Sequence, residues 1–475
     1  MTPPSVLIAC DTFAPDHNGT ATFSKNLAVG LQNRGYEVHV IAPATSKLYG
    51  TFREKHDGVA LVVHRLKSYR LPFQPTQRFV LPLGLTKRIT GLIDAIGPDV
   101  IHIQSHINIG HHAAVASKAL NKRLVATSHI DAQSLVANAI VAPTFVKNFL
   151  ANLLLKDAAR VFKSADAISE PTKRAAQMLE NSVKGLRVLP VSGGVDIERF
   201  DDVAAAVQSA RKLLYVGRLD REKHVYVILE AMAKLPADSG ITLEIVGTGS
   251  QVEELKKLAS ELGLAHRVSF AGEVSDEQLV TKLGEASAFV MPSVQELQSM
   301  ATLEAMAAGR PIIAADAMAL PHLVHVGENG FLFKPDSPSD LASKIFQLFN
   351  LGDADFARLV KGSKVLARSH DLELTVNVYE RLYKGLEVTE TTLDNDDDYE
   401  RPVSASERFG ELVRKGSRTL ERGANGVIER LDGVRGSVAE SFSEVRFEIE
   451  NRGSKARKKL SNSFRRVIER IRRDD

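Results

Sequence analysis

The feature that most limits how this chain can fold is a regular alternation of short apolar runs with longer, helical-looking segments. Strands separated by helices of about 10 to 15 residues form βαβ units, and these cross over with one hand to build a parallel sheet. We therefore predict an α/β fold with doubly wound sheets. The apolar runs span residues 6–10, 38–42, 59–63, 100–103, 124–127, 213–216, 243–246, 268–270, 289–291 and 312–315.

The pattern restarts near Arg211, which indicates two domains rather than one large sheet. A chain of 475 residues is also too long for one ordinary core. We predict domains at residues 1–205 and 206–385, an acidic linker at 386–405 and an amphipathic helical tail at 406–475. Ligands bind beyond the carboxyl ends of the strands in such sheets, so two facing domains would share one cleft.

The composition, 44% hydrophobic and 25% charged, is that of a soluble globular protein. A single cysteine, Cys10, excludes a disulfide framework, and its position at the end of an apolar run predicts a buried core residue. No secretory signal precedes the first run, and no run reaches the length of a membrane-spanning helix. We therefore expect a cytoplasmic protein that touches a membrane only at its surface.

The predicted tail differs in charge from the rest of the chain. The net charge is +3, yet residues 451–475 carry ten Lys/Arg against three Asp/Glu, and residues 394–400 are acidic. Apolar residues recur with an eleven-residue period from 427 to 449, which keeps one stripe nearly straight along a helix. A second apolar stripe, from 460 to 471, is interleaved with arginines. The tail is thus predicted to have a role of its own.

The most informative stretch for chemistry is residues 293–311, which follows an apolar run. Ser299 can cap a helix that ends at Gly309, so Glu296 would lie in the loop before the helix and Glu304 inside it. Two carboxylates beside a helix N-terminus suit the hydroxyl groups of a ribose and a hexose. The alternative is an ordinary amphipathic helix with a solvated glutamate.

The amides at the start of this helix predict an anion site. The N–H groups of Ser299, Met300 and Ala301 would point into the cleft, where a helix N-terminus favours a group such as a diphosphate. Arg218 and Lys223, just after the run at 213–216, could neutralise the same diphosphate. For these two residues a surface loop with ordinary salt bridges is the alternative.

Glycines follow two further runs of the second half. Gly247 begins a Gly-x-Gly turn, and Gly272 lies in a turn that ends at Val274. We expect both turns to let a nucleotide approach the backbone, with Gly272 and Val274 beside the base; plain turns are the alternative. A nicotinamide-dependent oxidoreductase would need a third glycine where Val252 stands, so that class is excluded.

In the first half, Gly19 lies between the first apolar run and a helix, where it would permit close approach to phosphate or sugar, although a mere turn is the alternative. His129 follows the run at 124–127 and is the candidate to touch substrate. The spacings of the neighbouring histidines fit no common zinc signature, so we expect no metal. These histidines are His102, His106, His111 and His112.

Taken together, these elements resemble glycosyltransferase family 4, a family of retaining enzymes with the GT-B architecture of two Rossmann-like domains. The similarity covers residues 5–375 and includes two glutamates separated by seven residues, the segment from Gly217 to the lysine at 223, and the Gly19 loop. It also includes residues 193–196 (Gly-Gly-Val-Asp), followed by Arg199 and a phenylalanine. The resemblance implies a hexosyltransferase that uses a nucleotide-sugar donor.

The resemblance also implies a role for each candidate. Glu304 would hold the nucleotide ribose and Glu296 the donor sugar, while His129 would contact the hexose near the reacting carbon. Arg218 and Lys223 would stabilise the departing diphosphate, so transfer would proceed with retention and without a metal or other cofactor. His224 and Ser192 depart from the glycine and asparagine common in the family, which weakens any transfer of donor identity.

The acceptor implied by the resemblance is a lipid at the cytosolic membrane face, since several family members glycosylate lipids there. Residues 145–156 join apolar side chains to lysines, and the basic stripe of the tail suits anionic lipid. A packed core helix at 145–155 and a solvated or protein-bound helix in the tail are the alternatives for these two segments. Alternatives are a soluble sugar or sugar-phosphate acceptor, and an inactive scaffold recruited through the tail. Nucleic acid is not an expected partner, because residues 460–473 hold one aromatic residue and no recognised motif.

Overall fold

A computed structural model describes residues 4–16, 18–71, 74–129 and 144–388. The chain divides into two compact units, residues 1–399 and 400–475, and all described residues belong to the first unit. The predicted tail at 406–475 and all but the start of the predicted linker lie outside the described residues. Within the described part of the chain, no helix has both the length and the apolar character needed to cross a bilayer.

The first half of the chain forms an eight-stranded sheet in the order β10-β9-β8-β7-β1-β2-β4-β3. All neighbouring strands are parallel except β3 and β4, which form an antiparallel edge. A separate antiparallel pair joins β5 to β6. The strands are β1 (Val6–Ala9), β2 (Val38–Pro43), β3 (Gly50–His56), β4 (Val59–Leu66), β5 (Ser68–Leu71), β6 (Gln74–Val80), β7 (Val100–Ile103), β8 (Arg123–Thr127), β9 (Ala167–Glu170) and β10 (Leu189–Pro190).

Helices cover both faces of this sheet and bury one apolar core on each side. Cys10 is fully buried in one of these cores, as predicted. The helices are α1 (Gly19–Asn33), α2 (Leu85–Ile96), α3 (Asn108–Ala119), α4 (Thr144–Phe162) and α5 (Lys173–Ser182).

The second half forms a six-stranded, fully parallel sheet in the order β13-β12-β11-β14-β15-β16. One large core includes both faces of the sheet. The strands are β11 (Lys212–Val216), β12 (Thr242–Val246), β13 (Val268–Gly272), β14 (Ala288–Met291), β15 (Ile312–Ala315) and β16 (Gly330–Phe333). The helices are α6 (Val225–Lys234), α7 (Val252–Glu261), α8 (Asp276–Glu285), α9 (Met300–Ala307), α10 (Leu320–Leu323), α11 (Pro338–Phe349) and α12 (Asp353–Arg368).

The last described helix, α13 (Leu372–Tyr383), returns to the first domain. Val376 and Tyr379 are buried in a core of that domain, and the Tyr379 hydroxyl bonds Thr127 Oγ1 at 3.0 Å. A Cβ on Gly30 of α1 would lie 2.8 Å from Val376 Cγ2, so the two helices pack closely. The predicted second domain, 206–385, included this helix; by packing, the helix belongs to the first domain, because its apolar face is buried there.

The predicted α/β fold with two doubly wound sheets is confirmed, and every apolar run named in the sequence forms a strand. The pattern missed strands that lack a continuous apolar run. β3 is a mostly exposed edge strand, whose polar residues carry no strand signal. β9 and β16 are four-residue strands that end or begin with polar or glycine residues.

Candidate active site

The helix α9 begins at the carboxyl end of β14, as the sequence predicted. Ser299 is its N-cap, and the side chain accepts a hydrogen bond from the Thr302 N–H at 3.4 Å. Gly309 adopts a positive φ of 72° just beyond the last turn. The N–H groups of Met300 and Ala301 have no partner inside the helix, as in any first turn. The cap therefore presents amide donors and the positive end of the helix dipole.

Lys223 and Glu296 are brought together from segments 73 residues apart. Lys223 Nζ donates to Glu296 Oε1 at 2.6 Å, and both side chains are largely buried. Lys223 ends a short 3₁₀ helix after β11, while Glu296 precedes α9. The carboxylate thus fixes the lysine near the start of α9, since a charge-assisted bond of this length holds both groups.

Arg218 lies on the same loop but pairs with other carboxylates. Its guanidinium contacts Asp220 and donates to Glu222 Oε1 at 2.6 Å. The side chain is 30% exposed. The two carboxylates use two of its five N–H donors, so further donors of this part-exposed guanidinium remain for a phosphate oxygen.

The glycines after β11 and β12 let two backbone segments cross. A Cβ on Gly247 would lie 1.9 Å from the Gly217 carbonyl oxygen, and a Cβ on Gly249 would lie 2.5 Å from the Leu219 backbone. Both glycines are thus required by packing at the strand ends. Gly272 differs, because a Cβ there would meet nothing within 4 Å, although its φ of 71° is still strained for other residues. Val274, two residues further on, is partly buried against the core of the second domain.

Glu304 lies at the boundary between the two domains. It is partly buried, and burial raises the pKa of its carboxyl to about 7. The charges that act on it come from Arg199 in the connection, Asp276 at the start of α8 and Lys25 on α1. The carboxyl is therefore close to both domains and is half-protonated near neutral pH.

Gly19 is the first residue of α1 and faces α9 across the cleft. A Cβ on Gly19 would lie 3.8 Å from Met300 Cγ. Asn18 caps α1 and accepts a hydrogen bond from the Ala21 N–H at 3.0 Å. The N-termini of two helices, one from each domain, thus meet at one place.

His129 lies at the carboxyl end of β8, at the predicted edge. Its Nε2 is 3.0 Å from Gln104 Oε1, and its ring packs against Phe23 at a centroid distance of 4.9 Å. Burial lowers the pKa of His129 to about 3, so the imidazole is neutral at pH 7. Gln104 was missed by the sequence analysis; its only signal was its position directly after the run at 100–103.

The other histidines have separate partners. His102 lies in the core between Tyr383 and Thr127, and His111 Nδ1 is 2.9 Å from Asp157 Oδ2. His112 bonds Thr86 on α2, and His106 is buried against Phe162. The described residues contain no group of three or more His, Cys, Asp or Glu side chains that could hold a metal ion.

Contacts across the cleft connect residues that the sequence analysis did not pair. Lys25 on α1 bonds Asp276 across the cleft at 3.2 Å and Asp57 of its own domain at 2.9 Å, while Arg199 donates to the Asp276 carbonyl at 2.6 Å. Near α9, the Gly193 N–H donates to Gln298 Oε1 at 2.6 Å. Such pairs join residues far apart in sequence, so a linear pattern carries no signal for them.

Comparison with known proteins identifies the family. The sequence profile described as "Glycosyltransferase Family 4" matches residues 17–199, and that described as "Glycosyl transferases group 1" matches residues 196–361. A GDP-mannose-dependent alpha-mannosyltransferase of Mycolicibacterium smegmatis is 30% identical, over 70% of this chain and 84% of its own. A D-inositol 3-phosphate glycosyltransferase of Corynebacterium urealyticum is 28% identical, over 78% of this chain and 91% of its own.

Solved structures share the fold at lower identity. A sucrose-phosphate synthase from Thermosynechococcus elongatus gives a TM-score of 0.66 at 19% identity, covering 80% of this chain and 98% of its own. Anabaena HepE, in complex with UDP and glucose, gives a TM-score of 0.62 at 19% identity, covering 81% of this chain and 100% of its own. The chain therefore belongs to the family 4, group 1 glycosyltransferases and has the GT-B fold.

Proposed function

We propose that this protein transfers a hexose from a nucleoside diphosphate sugar, with retention and without a metal ion, to a lipid acceptor at a membrane surface. The observation that carries the donor assignment is the Lys223–Glu296 ion pair beside the N-terminus of α9. A cation, a helix N-terminus and a neighbouring carboxylate together suit a diphosphate that carries a sugar. The mannosyltransferase and inositol-phosphate glycosyltransferase relatives support the same class of donor.

In this proposal the diphosphate lies against the first turn of α9. Lys223 and the amides of Met300 and Ala301 supply positive potential where negative charge develops, and Arg218 adds the N–H groups that its carboxylate partners leave free. The ribose bonds Glu304, and the base lies beside Gly272 and Val274. In this proposal, positive groups of the protein stabilise the negative charge of the leaving diphosphate, as a metal ion does in other transferases.

The transfer step breaks the bond between the sugar C1 and the diphosphate oxygen, which leaves with the electron pair. The acceptor oxygen attacks C1 from the face that the leaving group vacates, and its proton passes to the departing diphosphate. His129 is neutral, and Gln104 fixes its ring, so it offers a hydrogen bond to a hexose hydroxyl rather than a charge. Glu296 faces the same sugar while it holds Lys223.

For the acceptor, the sequence of residues 145–156 and the basic tail support a lipid. Within 145–156 the backbone forms part of α4, and membrane contact by this helix stays a prediction. A second candidate is a soluble polyol phosphate, which the D-inositol 3-phosphate glycosyltransferase relatives favour.

A donor panel tests this function. Purified protein is incubated with UDP- and GDP-sugars, with or without lipid vesicles or inositol phosphate, and release of nucleoside diphosphate is measured with and without EDTA. We expect release from one donor class that survives EDTA, requires vesicles and is lost in Glu304→Ala. Release that requires inositol phosphate instead would move the acceptor to the soluble class. No release and no nucleotide binding would refute the transferase and favour the scaffold.

A further inference from the structure

We propose that the first domain docks on an anionic membrane through a surface beside the cleft, which we call the basic edge patch. The proposal rests on the proposed function only in that a lipid acceptor would be met there; the binding itself requires no catalysis. The patch consists of the exposed apolar residues Leu48, Tyr49 and Leu83 and the exposed cations Lys47, Lys87 and Arg88.

The apolar members of the patch are unusually open to solvent. Leu83 is 95% exposed, Leu48 is 72% exposed and Tyr49 is 51% exposed. Single exposed apolar side chains are common and need no explanation, whereas a contiguous group marks an interaction surface. Leu48, Tyr49 and Leu83 therefore mark an interaction surface only if they are contiguous.

Side-chain and backbone contacts bring the two segments of the patch together. The Arg88 guanidinium, on the first turn of α2, lies 5.9 Å from the centre of the Tyr49 ring. Ser68 of β5 bonds the Ala44 carbonyl, just before the 45–49 loop, and pairs with Val80 of β6. The chain passes directly from β6 into residues 81–84 and then α2. The loop and the start of α2 thus form one surface.

The charge around the patch is strongly positive. Residues 44–92 contain nine Lys/Arg and two Asp/Glu. Both acids have partners away from the patch, because Glu54 bonds Arg65 and Asp57 bonds Lys25. Among these nine cations, Lys67 just before β5 and Arg70 on β5 are also exposed. The patch therefore combines apolar side chains that can enter a bilayer with cations that remain at anionic headgroups.

The position of the patch relates it to the cleft. The 44–49 segment follows the carboxyl end of β2, and Lys67 follows that of the neighbouring parallel strand β4. Asn108, at the start of α3 beyond the carboxyl end of β7, donates to the Val80 carbonyl at 2.7 Å. The patch thus lies at the sheet edge where Gly19 and His129 also lie, so a bound bilayer would be close to the acceptor side.

Vesicle binding by the full chain tests the proposal without any substrate. Co-sedimentation is measured with phosphatidylcholine vesicles, with and without phosphatidylglycerol. The test variants are Leu48→Ser/Leu83→Ser and Lys87→Gln/Arg88→Gln. The matched controls lie on the second domain: Val207→Ser/Val326→Ser, at 59% and 62% exposure, and Lys256→Gln/Lys257→Gln. Thermal unfolding verifies that each variant is folded.

We expect binding that requires the anionic lipid and weakens with salt. Each test pair should lower vesicle affinity about tenfold or more, given roughly fivefold for each cation at an anionic surface. The control pairs should bind like wild type, and nucleoside diphosphate release with a soluble acceptor or water should be unchanged in all variants. If both test pairs bind vesicles with wild-type affinity, and substitution of Arg465 and Arg466 lowers that affinity instead, the proposed docking surface is wrong and binding belongs to the tail. No vesicle binding by wild type would also overturn it, while leaving donor turnover as an independent result.

Discussion

The two sides of the cleft differ in the charge state of their polar groups. On the second-domain side the groups are ionic and paired: Lys223 with Glu296, and Arg218 with Asp220 and Glu222. On the first-domain side, apart from the Lys25–Asp57 ion pair, the side chains His129 and His106 are neutral. Burial lowers the pKa of His129 to about 3 and that of His106 to about 4.

This difference indicates two kinds of ligand chemistry. Ion pairs that can exchange a carboxylate for a phosphate suit an anionic leaving group. Neutral imidazoles and an amide side chain suit hydroxyl groups, because a desolvated charge there would be costly without a partner. Gln104 Nε2 and both ring nitrogens of His106 have no hydrogen-bond partner among the described residues. We infer that the charged diphosphate of the nucleotide binds on the second-domain side, whereas uncharged hydroxyl groups, including those of the acceptor, bind on the first-domain side.

The largest loss of activity is expected when the second-domain cation Lys223 is removed. Lys223→Ala deletes a positive group at the departing diphosphate and leaves Glu296 buried without its partner. We expect kcat to fall about 10²- to 10³-fold, the cost typical of losing one electrostatic stabiliser. Steady-state kinetics measure this, with Lys256→Ala as the exposed control. A loss smaller than tenfold, with the fold intact by thermal unfolding, would contradict the role.

Glu304 offers a test by pH. Burial raises the pKa of its carboxyl from the ordinary 4.5 to about 7, so the carboxyl binds a proton more readily in the folded protein than in the unfolded chain. The folded state therefore loses stability as pH rises from 4.5 to 7, and Glu304→Gln should remove that loss. The variant should gain up to about 3 kcal/mol over wild type, a difference that grows across this range and is constant above it.

Chemical denaturation at several pH values measures the gain, with the exposed Glu253→Gln as control. A stability difference that does not change between pH 4.5 and 7 would show that the carboxyl is not desolvated.

On the first-domain side, Gln104→Leu should free the His129 ring while keeping the volume of the side chain. We expect kcat to fall about tenfold with donor affinity unchanged, because an unfixed contact to the hexose costs roughly one hydrogen bond. Gln104→Glu keeps an oxygen for His129 Nε2 and should recover part of the rate. An equal loss in both variants, or a loss of donor binding, would argue against this positioning role.

The smallest effect is expected at His106. The ring is buried and neutral and lacks a hydrogen-bond partner, so His106→Leu should leave the free energy of unfolding within about 1 kcal/mol of wild type. If acceptor hydroxyls bind these nitrogens, the acceptor KM should rise several-fold with donor KM unchanged. An unchanged acceptor KM would show that the acceptor does not bind His106.

Much of the fold followed from the sequence because its strands carry strong local signals. Parallel strands buried on both faces read as continuous apolar runs, as at 6–10 and 312–315. The cap at Ser299 and the end at Gly309 were also local, since each depends on a residue type at a fixed place along one helix. The structure confirms both, so Glu296 precedes α9 and Glu304 lies within it, as predicted.

The remainder depended on contacts between distant segments. The return of α13 to the first domain was hidden because an apolar helix face does not itself indicate which domain buries it. The Lys223–Glu296 pair and the carboxylates that hold Arg218 could not be assigned, since pairing of charges in a loop depends on side-chain geometry. The Gly-x-Gly pattern at Gly247 predicts contact with a nucleotide, whereas the close approach of the Gly217 backbone already requires a glycine there.

The central claim is that the nucleotide binds to the ionic, second-domain side of the cleft. Hydrogen–deuterium exchange with and without GDP or UDP tests it most directly. We predict that the nucleotide slows exchange in segments 217–223, 246–249 and 296–304, with little change in 104–112. Protection confined to the first domain, or none with either nucleotide at saturating concentration, would contradict the account.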